Sequence, residues 1–428
     1  MTRLLVLFVT AFVDMVGLTM IIPLLPYYAT DFGADATTVG FLISAFSIAQ
    51  LAVAPSWGRF SDRYGRRPAI LAGLLLTGAS YALFAFAGSI TALLVSRLIQ
   101  GAGGGTIGVV QAYVADASPP KERTKSLGWL SVVTSLGAVA GPAFGSAMIS
   151  LGGRRAPGIA SAMLSLLVAA FAWRFLRESR ELRHSASHAA PSETTSRAAI
   201  LRVLTHWREP ASRLIWIYTI GIGAFYGTIQ TAPLLLSGRF GVTESNIGYF
   251  VMYLGGMGVV VRSLILGRMV DRLGEVRLSR VGVVLLALGL AAAGLAKGYP
   301  ALALGFTLMP LGTAFLFPCV TGLLSRVVPG NERGLYMGVQ HTFGGVSRVL
   351  FPVAAGLLMD RFGVGVPFWI SGLLVLATLP FAWALAGALV PESPVPAAAQ
   401  RPPMLDVTDE LPVPSMTEED DSATRDRT

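Results

Sequence analysis

Apolar runs of helical length recur along the chain, at about residues 4–28, 38–58, 69–88, 91–114, 126–150, 157–176, 213–236, 246–266, 278–297, 301–326, 336–358 and 366–390. A helix of roughly 17–25 apolar residues crosses the hydrocarbon core of a bilayer. Most of the polar stretches between the runs are too short to hold soluble domains. The pattern predicts an all-α integral membrane protein with twelve transmembrane helices. Arg3 before the first run imitates a secretory signal, but the length of that run and the immediate start of the next favour a helix that stays.

The spans repeat. Gly58-Arg-Phe-Ser-Asp62-Arg63-Tyr-Gly65 returns as Gly267-Arg-Met-Val-Asp271-Arg272-Leu-Gly274, 209 residues later. Pro23-Leu-Leu, Glu122-Arg123 and Pro142 return at 210 residues as Pro233-Leu-Leu, Glu332-Arg333 and Pro352. Four anchors in one register imply duplication of a six-helix unit. The expected organisation is a bundle at 1–176, a flexible cytoplasmic linker at 177–212 and a second bundle at 213–390. Parallel repeats of this kind place a substrate cavity between the halves near the midplane, served by alternating access as one half rocks on the other.

Charge sharpens the picture because there is little of it: 13% of 428 residues, against about 25% in ordinary soluble domains, with mean hydropathy +0.64. Of 33 Lys and Arg, 21 fall before the tail on one set of alternate loops and the N-terminus, and five on the other set (Arg154, Arg155, Arg239, Lys297, Arg361). That bias predicts a cell-membrane protein with both termini in the cytoplasm. Residues 391–428 carry nine acids and three Arg and read as a disordered acidic tail. The chain's net charge of +9 therefore understates the basic excess of residues 1–390, which belongs to the membrane part and its lipid bilayer, not to a nucleic-acid surface.

One cysteine, Cys319, and four scattered His exclude a disulfide framework and a His/Cys metal cluster. No GxxxxGK[ST] loop occurs, and Gly101-Ala-Gly103-Gly-Gly105 lies inside a span without a preceding strand. No cofactor or metal is expected, and the energy source would be a proton gradient. Titratable clusters of the kind an enzyme needs are lacking, so the chain reads as a non-enzyme.

Some charges do lie in spans. A cation at the bilayer centre costs about 2.5 kcal/mol or more, so Arg97 should face the bundle interior. Asp14 is the one acid well inside the first run, where surroundings that alternate between water and protein suit proton exchange. Arg348, near mid-span, suits an anionic substrate group or a structural role. Arg262, five residues before Gly267, reads as an end residue that snorkels, and His341 as interfacial. Gly137, Gly141 and Gly145 form a small-residue stripe on one helix face, bent at Pro142. Gly58 allows a tight exit, Asp62 accepts from a helix N-terminus, and Arg63, Arg66 and Arg67 meet an anionic leaflet. Gln50, Gln111, Tyr113, Phe225, Tyr226, Gln230, Tyr253 and Phe343 are expected to line the cavity, an aromatic and amide wall suited to a small amphipathic substrate.

These residues also resemble a known family. Gly58 to Arg67 is similar to the loop motif of the major facilitator superfamily, and Leu93-Leu-Val-Ser-Arg97-Leu-Ile-Gln100-Gly101-Ala-Gly103 to its helix 4 motif. Gly137-Ala-Val-Ala-Gly141-Pro142-Ala-Phe-Gly145 resembles its antiporter motif. Asp14 with Gly17, and Ile22-Pro23-Leu-Leu-Pro26, look most like the twelve-helix drug:proton antiporters, tetracycline efflux proteins among them. The resemblance implies that Asp14 and Arg97 couple protons. It implies that Asp62 with Arg66 latches the cytoplasmic side against helix 11, with Asp271 mirrored toward helix 5, while Gly58, Gly137, Gly141 and Pro142 serve the gating movement. Glu275-Val276 replaces Arg66-Arg67 in the second copy, so the first latch should dominate. Ser80-Tyr81 and Leu286 stand where tetracycline efflux proteins carry acids, which argues against a tetracycline–metal chelate. The expected function is a monomeric antiporter exporting drugs or similar compounds against protons. The alternatives are a transporter of one metabolite, such as a sugar or organic acid, and a transporter-like receptor.

Overall fold

In the computed structural model, which describes residues 3–119, 122–176, 178 and 195–388, twelve helices are long and apolar enough to cross a membrane. They are α1 (Leu4–Asp31), α2 (Ala36–Tyr64), α3 (Arg66–Ala85), α4 (Ile90–Ala117), α5 (Lys125–Gly152), α6 (Ala156–Phe175), α7 (Pro210–Phe240), α8 (Ile247–Leu264), α9 (Leu266–Leu295), α10 (Tyr299–Val327), α11 (Arg333–Phe362) and α12 (Val366–Leu385). The expected all-α membrane architecture is what the chain forms. The acidic tail lies outside the described residues, as do residues 177 and 179–194 of the expected linker. Part of the expected linker is ordered instead: Ser196–Thr205 is a helix whose Ala199 and Val203, one turn apart, are buried.

The chemistry of a lipid-immersed bundle is visible in its polar groups. Thr77, Ser80 and Ser96 are buried, and each hydroxyl donates to a carbonyl of its own helix three or four residues back, at 2.6–2.8 Å. Large apolar side chains such as Leu151, Leu167, Trp173, Leu295 and Trp383 point outward instead, as a bilayer requires.

Helix ends depart from the apolar pattern where turn chemistry rules. The chain turns between α2 and α3 at Gly65 (φ 110°), and the equivalent turn of the second half is at Gly274 (φ 74°). Both conformations disfavour side chains with a Cβ. The helical path of the second copy therefore continues through Leu273, beyond the end at 266 read from hydropathy. Pro23 and Pro233 also diverge. Pro23, followed by Pro26, breaks α1 into a 3-10 turn at Ile22–Leu24, whereas α7 runs unbroken through Pro233, the one proline in its interior.

Helices α1–α6 pack chiefly on one another, as do α7–α12, and the two groups meet along α2 against α11 and α5 against α8. The contact is made at one end. A Cβ on Gly40 would sit 2.9 Å from the Pro352 carbonyl carbon, and one on Gly248 2.7 Å from Ser146 Oγ, beside the Pro142 carbonyl. These two approaches are pseudo-symmetric. Polar groups frame them: Asp360 accepts from Ala36 N (3.0 Å) and Thr37 N (2.8 Å) at the start of α2. Ser146 Oγ donates to Glu244 O and accepts from Gly248 N. Arg154 bridges Asp31 and Glu244, and Tyr27 Oη donates to Val242 O. The hydrogen bonds found between described residues of the two halves all lie at this end, away from the arginine-rich loops.

A leucine at 248 cannot coexist with this closure. Gly248→Leu is expected to raise maleimide labelling of a cysteine placed at buried Ser146 at least fivefold, in a Cys319→Ser background. Labelling as low as in the Gly248 parent would show that the α5–α8 contact does not seal this end.

Candidate functional site

Two cavities hold residues of the expected site. The first, about 620 Å³, lies in the first half between α1, α4 and α5, and Asp14, Gln111, Ser131 and Thr134 line it. Its wall is shaped by a break in α4, which is helical over Ile90–Gly104 and again over Ile107–Ala117. The break frees backbone carbonyls, and α2 supplies donors to them: Trp57 Nε1 to Ala102 O (2.6 Å) and Gln50 Nε2 to Gly104 O (3.3 Å). Gln50, expected in the substrate site, is thus committed to holding α4.

Behind this wall Arg97 is 3% exposed, its guanidinium 5.9 Å from the centre of the Phe46 ring. No ion pair joins it to Asp14 among the described residues. Tyr81 of α3, buried against Gly17, lies within electrostatic reach of both and beside Gln100. The polar set is therefore Asp14, Tyr81, Arg97 and Gln100, drawn from three helices.

The second cavity, about 320 Å³, lies between α1, α5, α7, α8 and α10, directly beneath the Pro142–Gly248 contact. Tyr226 and Gln230 line it, as expected for a substrate wall, together with Phe225, which meets Tyr226 edge-on at 5.7 Å. Arg262 lines it too, against the snorkelling expectation. Its helical path ends at the Gly274 turn rather than near Gly267, so Arg262 stands about 18 Å of helix from the loop at 1.5 Å per residue. The guanidinium of Arg348 lies over the Tyr226 ring, 5.8 Å from its centre.

Three further expected lining residues lie elsewhere. Tyr113 is 1% exposed in the core of the first half: it follows Gln111 by two residues, about 200° around the helix, and so faces away from the cavity. Tyr253 sits in a separate aromatic groove with Tyr249, Tyr299 and Phe306, its hydroxyl 2.8 Å from Thr307 Oγ1. Phe343 packs edge-on against Trp216 at 5.6 Å and is not among the residues lining the second cavity.

At the arginine-rich end the loop motif forms a charged cluster within the first half. Arg66 bonds Asp62 and Asp116, each at 3.3 Å, and Ser61 Oγ at 2.9 Å. Glu178, just after α6, accepts from the backbone N–H groups of Arg66 (2.9 Å) and Arg67 (3.2 Å) and so caps α3. Nothing packs within 4 Å of where a Gly58 side chain would begin, and Asp271 is exposed. In the second half Glu275 pairs with Arg326 at 2.9 Å. Positions 66 and 275 match in the repeat, as do 116 and 326, so the same pair recurs with its charges exchanged. The glycines of α5 lie on the α1 backbone: a Cβ on Gly137 would stand 2.6 Å from Phe12 O, and one on Gly141 2.7 Å from Val16 O.

The sequence model of the Major Facilitator Superfamily matches residues 7–265 and 258–414, covering both halves. The chain belongs to this superfamily. It is 28% identical over 385 residues to "Multidrug resistance protein 2" of Bacillus subtilis (strain 168), spanning 88% of this chain and 94% of the relative. To "Tetracycline resistance protein, class B" of Escherichia coli it is 25% identical over 367 residues, spanning 84% and 88%. The crystal structure of the human organic anion transporter MFSD10 (TETRAN) superposes with a TM-score of 0.65 at 25% identity, covering 89% of this chain and 99% of that one. The superfamily member is thus a transporter with drug-efflux relatives, not an enzyme.

Arg66→Asp would gather three carboxyls where one cation now sits. It is expected to destabilise the protein in detergent by about 1 kcal/mol or more, read from thermal melts, and Asp116→Arg in the same chain should recover at least half of the loss. Equal melting of the single and double variants would deny that the pair contributes.

Proposed function

We propose that this protein is a proton-coupled antiporter that exports drug-like amphipathic compounds by alternating access, as a monomer in the cell membrane. The reading rests on Asp14, a carboxylate on the wall of an open cavity inside a membrane span, backed by Tyr81, Arg97 and Gln100. A carboxylate in that position changes its surroundings whenever the halves rock, and so exchanges a proton once per cycle. The names of the multidrug and tetracycline resistance relatives support drug export.

With the basic loops in the cytoplasm, both termini are cytoplasmic and the sealed end faces outward, so the fold is caught open to the inside. In this reading the Asp62–Arg66–Asp116 cluster belongs to the open inner gate. As that gate closes, Asp62 turns to α11 and Asp271 to α5. The glycines of α5 let it slide on α1.

Proteoliposomes with an imposed pH gradient test the reading, using cationic, neutral and anionic aromatic compounds as substrates. At least one class should move with the gradient. Asp14→Asn should lower pH-driven transport tenfold or more while leaving the thermal melt and downhill exchange intact. Undiminished pH-driven transport by Asp14→Asn would remove this carboxylate from the mechanism.

A further inference from the structure

The second cavity holds a charge imbalance that gating and proton coupling do not use. None of its lining residues is an acid, yet Arg262 lines it, and the guanidinium of Arg348, outside the lining itself, lies over the ring of the lining residue Tyr226. Neither guanidinium makes an ion pair or hydrogen bond with a described residue. The basic positions belong to the second half alone: the repeat equivalents of Arg262 and Arg348 are Val53 and Ala138. Asp14 lines the other cavity, so it does not neutralise them.

Two unpaired guanidiniums at membrane depth are costly unless they meet water or an anion. The Arg348 guanidinium lies over the Tyr226 ring without a hydrogen-bond partner among the described residues, and a guanidinium presents a fork of N–H groups that matches a carboxylate or sulfonate. Next to them Phe225 and Tyr226 offer two perpendicular rings, and Gln230 a neutral amide. A cavity of about 320 Å³ takes a small aromatic body and excludes a phospholipid.

We propose that this cavity is an anion subsite: Arg262 and Arg348 hold the carboxylate or sulfonate of an aromatic organic acid whose ring lies against Phe225 and Tyr226. The substrate class is then monoanionic aromatic amphiphiles. The inference rests on the transport reading for its physiological use, but binding is measurable without it. Because Pro142 both lines the cavity and forms the α5–α8 contact, the anion sits immediately beneath the closed gate.

The test is calorimetric binding of 1-naphthoate and its uncharged isostere 1-naphthamide to the full chain in neutral detergent. The wild type should bind naphthoate at least tenfold more tightly. Arg262→Gln and Arg348→Gln should each reduce that preference below twofold with naphthamide binding unchanged, which also reports that the variants are folded. Arg348→Lys, which keeps the charge, should retain part of it. Equal wild-type affinities for the two compounds, or a preference intact in both glutamine variants, would overturn the proposal. If a variant fails to bind naphthamide, the wild-type pair and the loss of its preference in high salt decide. Absence of pH-driven transport for every compound with the naphthoate preference intact would sink the transport reading and leave the subsite standing. Transport of neutral compounds without that preference would do the reverse.

Discussion

The sealed end of this bundle depends on three places where a glycine lets one half meet the backbone of the other: Gly40 at Pro352, Gly356 at Ala36 and Gly248 at Pro142. Such contacts gain dispersion and shape fit, and hydrogen bonds cross beside them, Gly248 N to Ser146 Oγ and Ser44 Oγ to Val349 O. Polar groups at the rim, Asp360 on the start of α2 and Arg154 between Asp31 and Glu244, add partly solvated bonds of modest worth. The second cavity lies below this seal, and the charged loop motifs lie at the far end.

Duplication made the loop motif twice, and the two copies kept different things. Identity was lost, since Arg66-Arg67 became Glu275-Val276, but the pairing was not. Arg66–Asp116 and Glu275–Arg326 occupy matched positions with reversed polarity. A carboxylate and a guanidinium satisfy one another whichever helix carries which. The copy that looks degraded by residue type is therefore intact as an interaction. The turns beside the pairs kept their residues, because Gly65 and Gly274 hold a positive φ that a charge swap cannot replace.

The number, order and rough limits of the spans were legible because a bilayer imposes one period and one length on every helix. Gly65 and Gly274 were legible as motif members, but not as turns that decide where Arg262 sits. That arginine was misplaced because hydropathy falls at Gly267 while the helix goes on to Leu273. Tyr113 and Gln111 show the limit of listing polar residues: two positions apart on a helix, one meets the cavity and the other the core. Gln50 and Trp57 were beyond any pattern, since their role follows from a break in another helix, α4. Tyr81 was passed over because a neutral residue stood where relatives carry an acid, and only the packing of three helices brings it between Asp14 and Arg97.

The two cavities differ in sign, an acid in one and arginines in the other, and share no lining side chain. A proton on Asp14 and a ligand beside Arg262 thus need not compete for the same atoms, and linkage between them has to run through the conformations each favours. Only α1 and α5 line both spaces: Asp14 and Met15 give way to Thr19 and Pro23 along α1, and Ser131 and Thr134 to Ala138 and Pro142 along α5. Between these stretches the two helices are in backbone contact, and Thr19 Oγ1 donates to Met15 O at 2.8 Å and reaches Gly137 O at 3.4 Å. A shift of α1 on α5 therefore changes the wall of both cavities and, through Pro142, the seal above. The small-residue stripe that simple packing would explain is also a surface that joins the wall of the first cavity to the contact above the second.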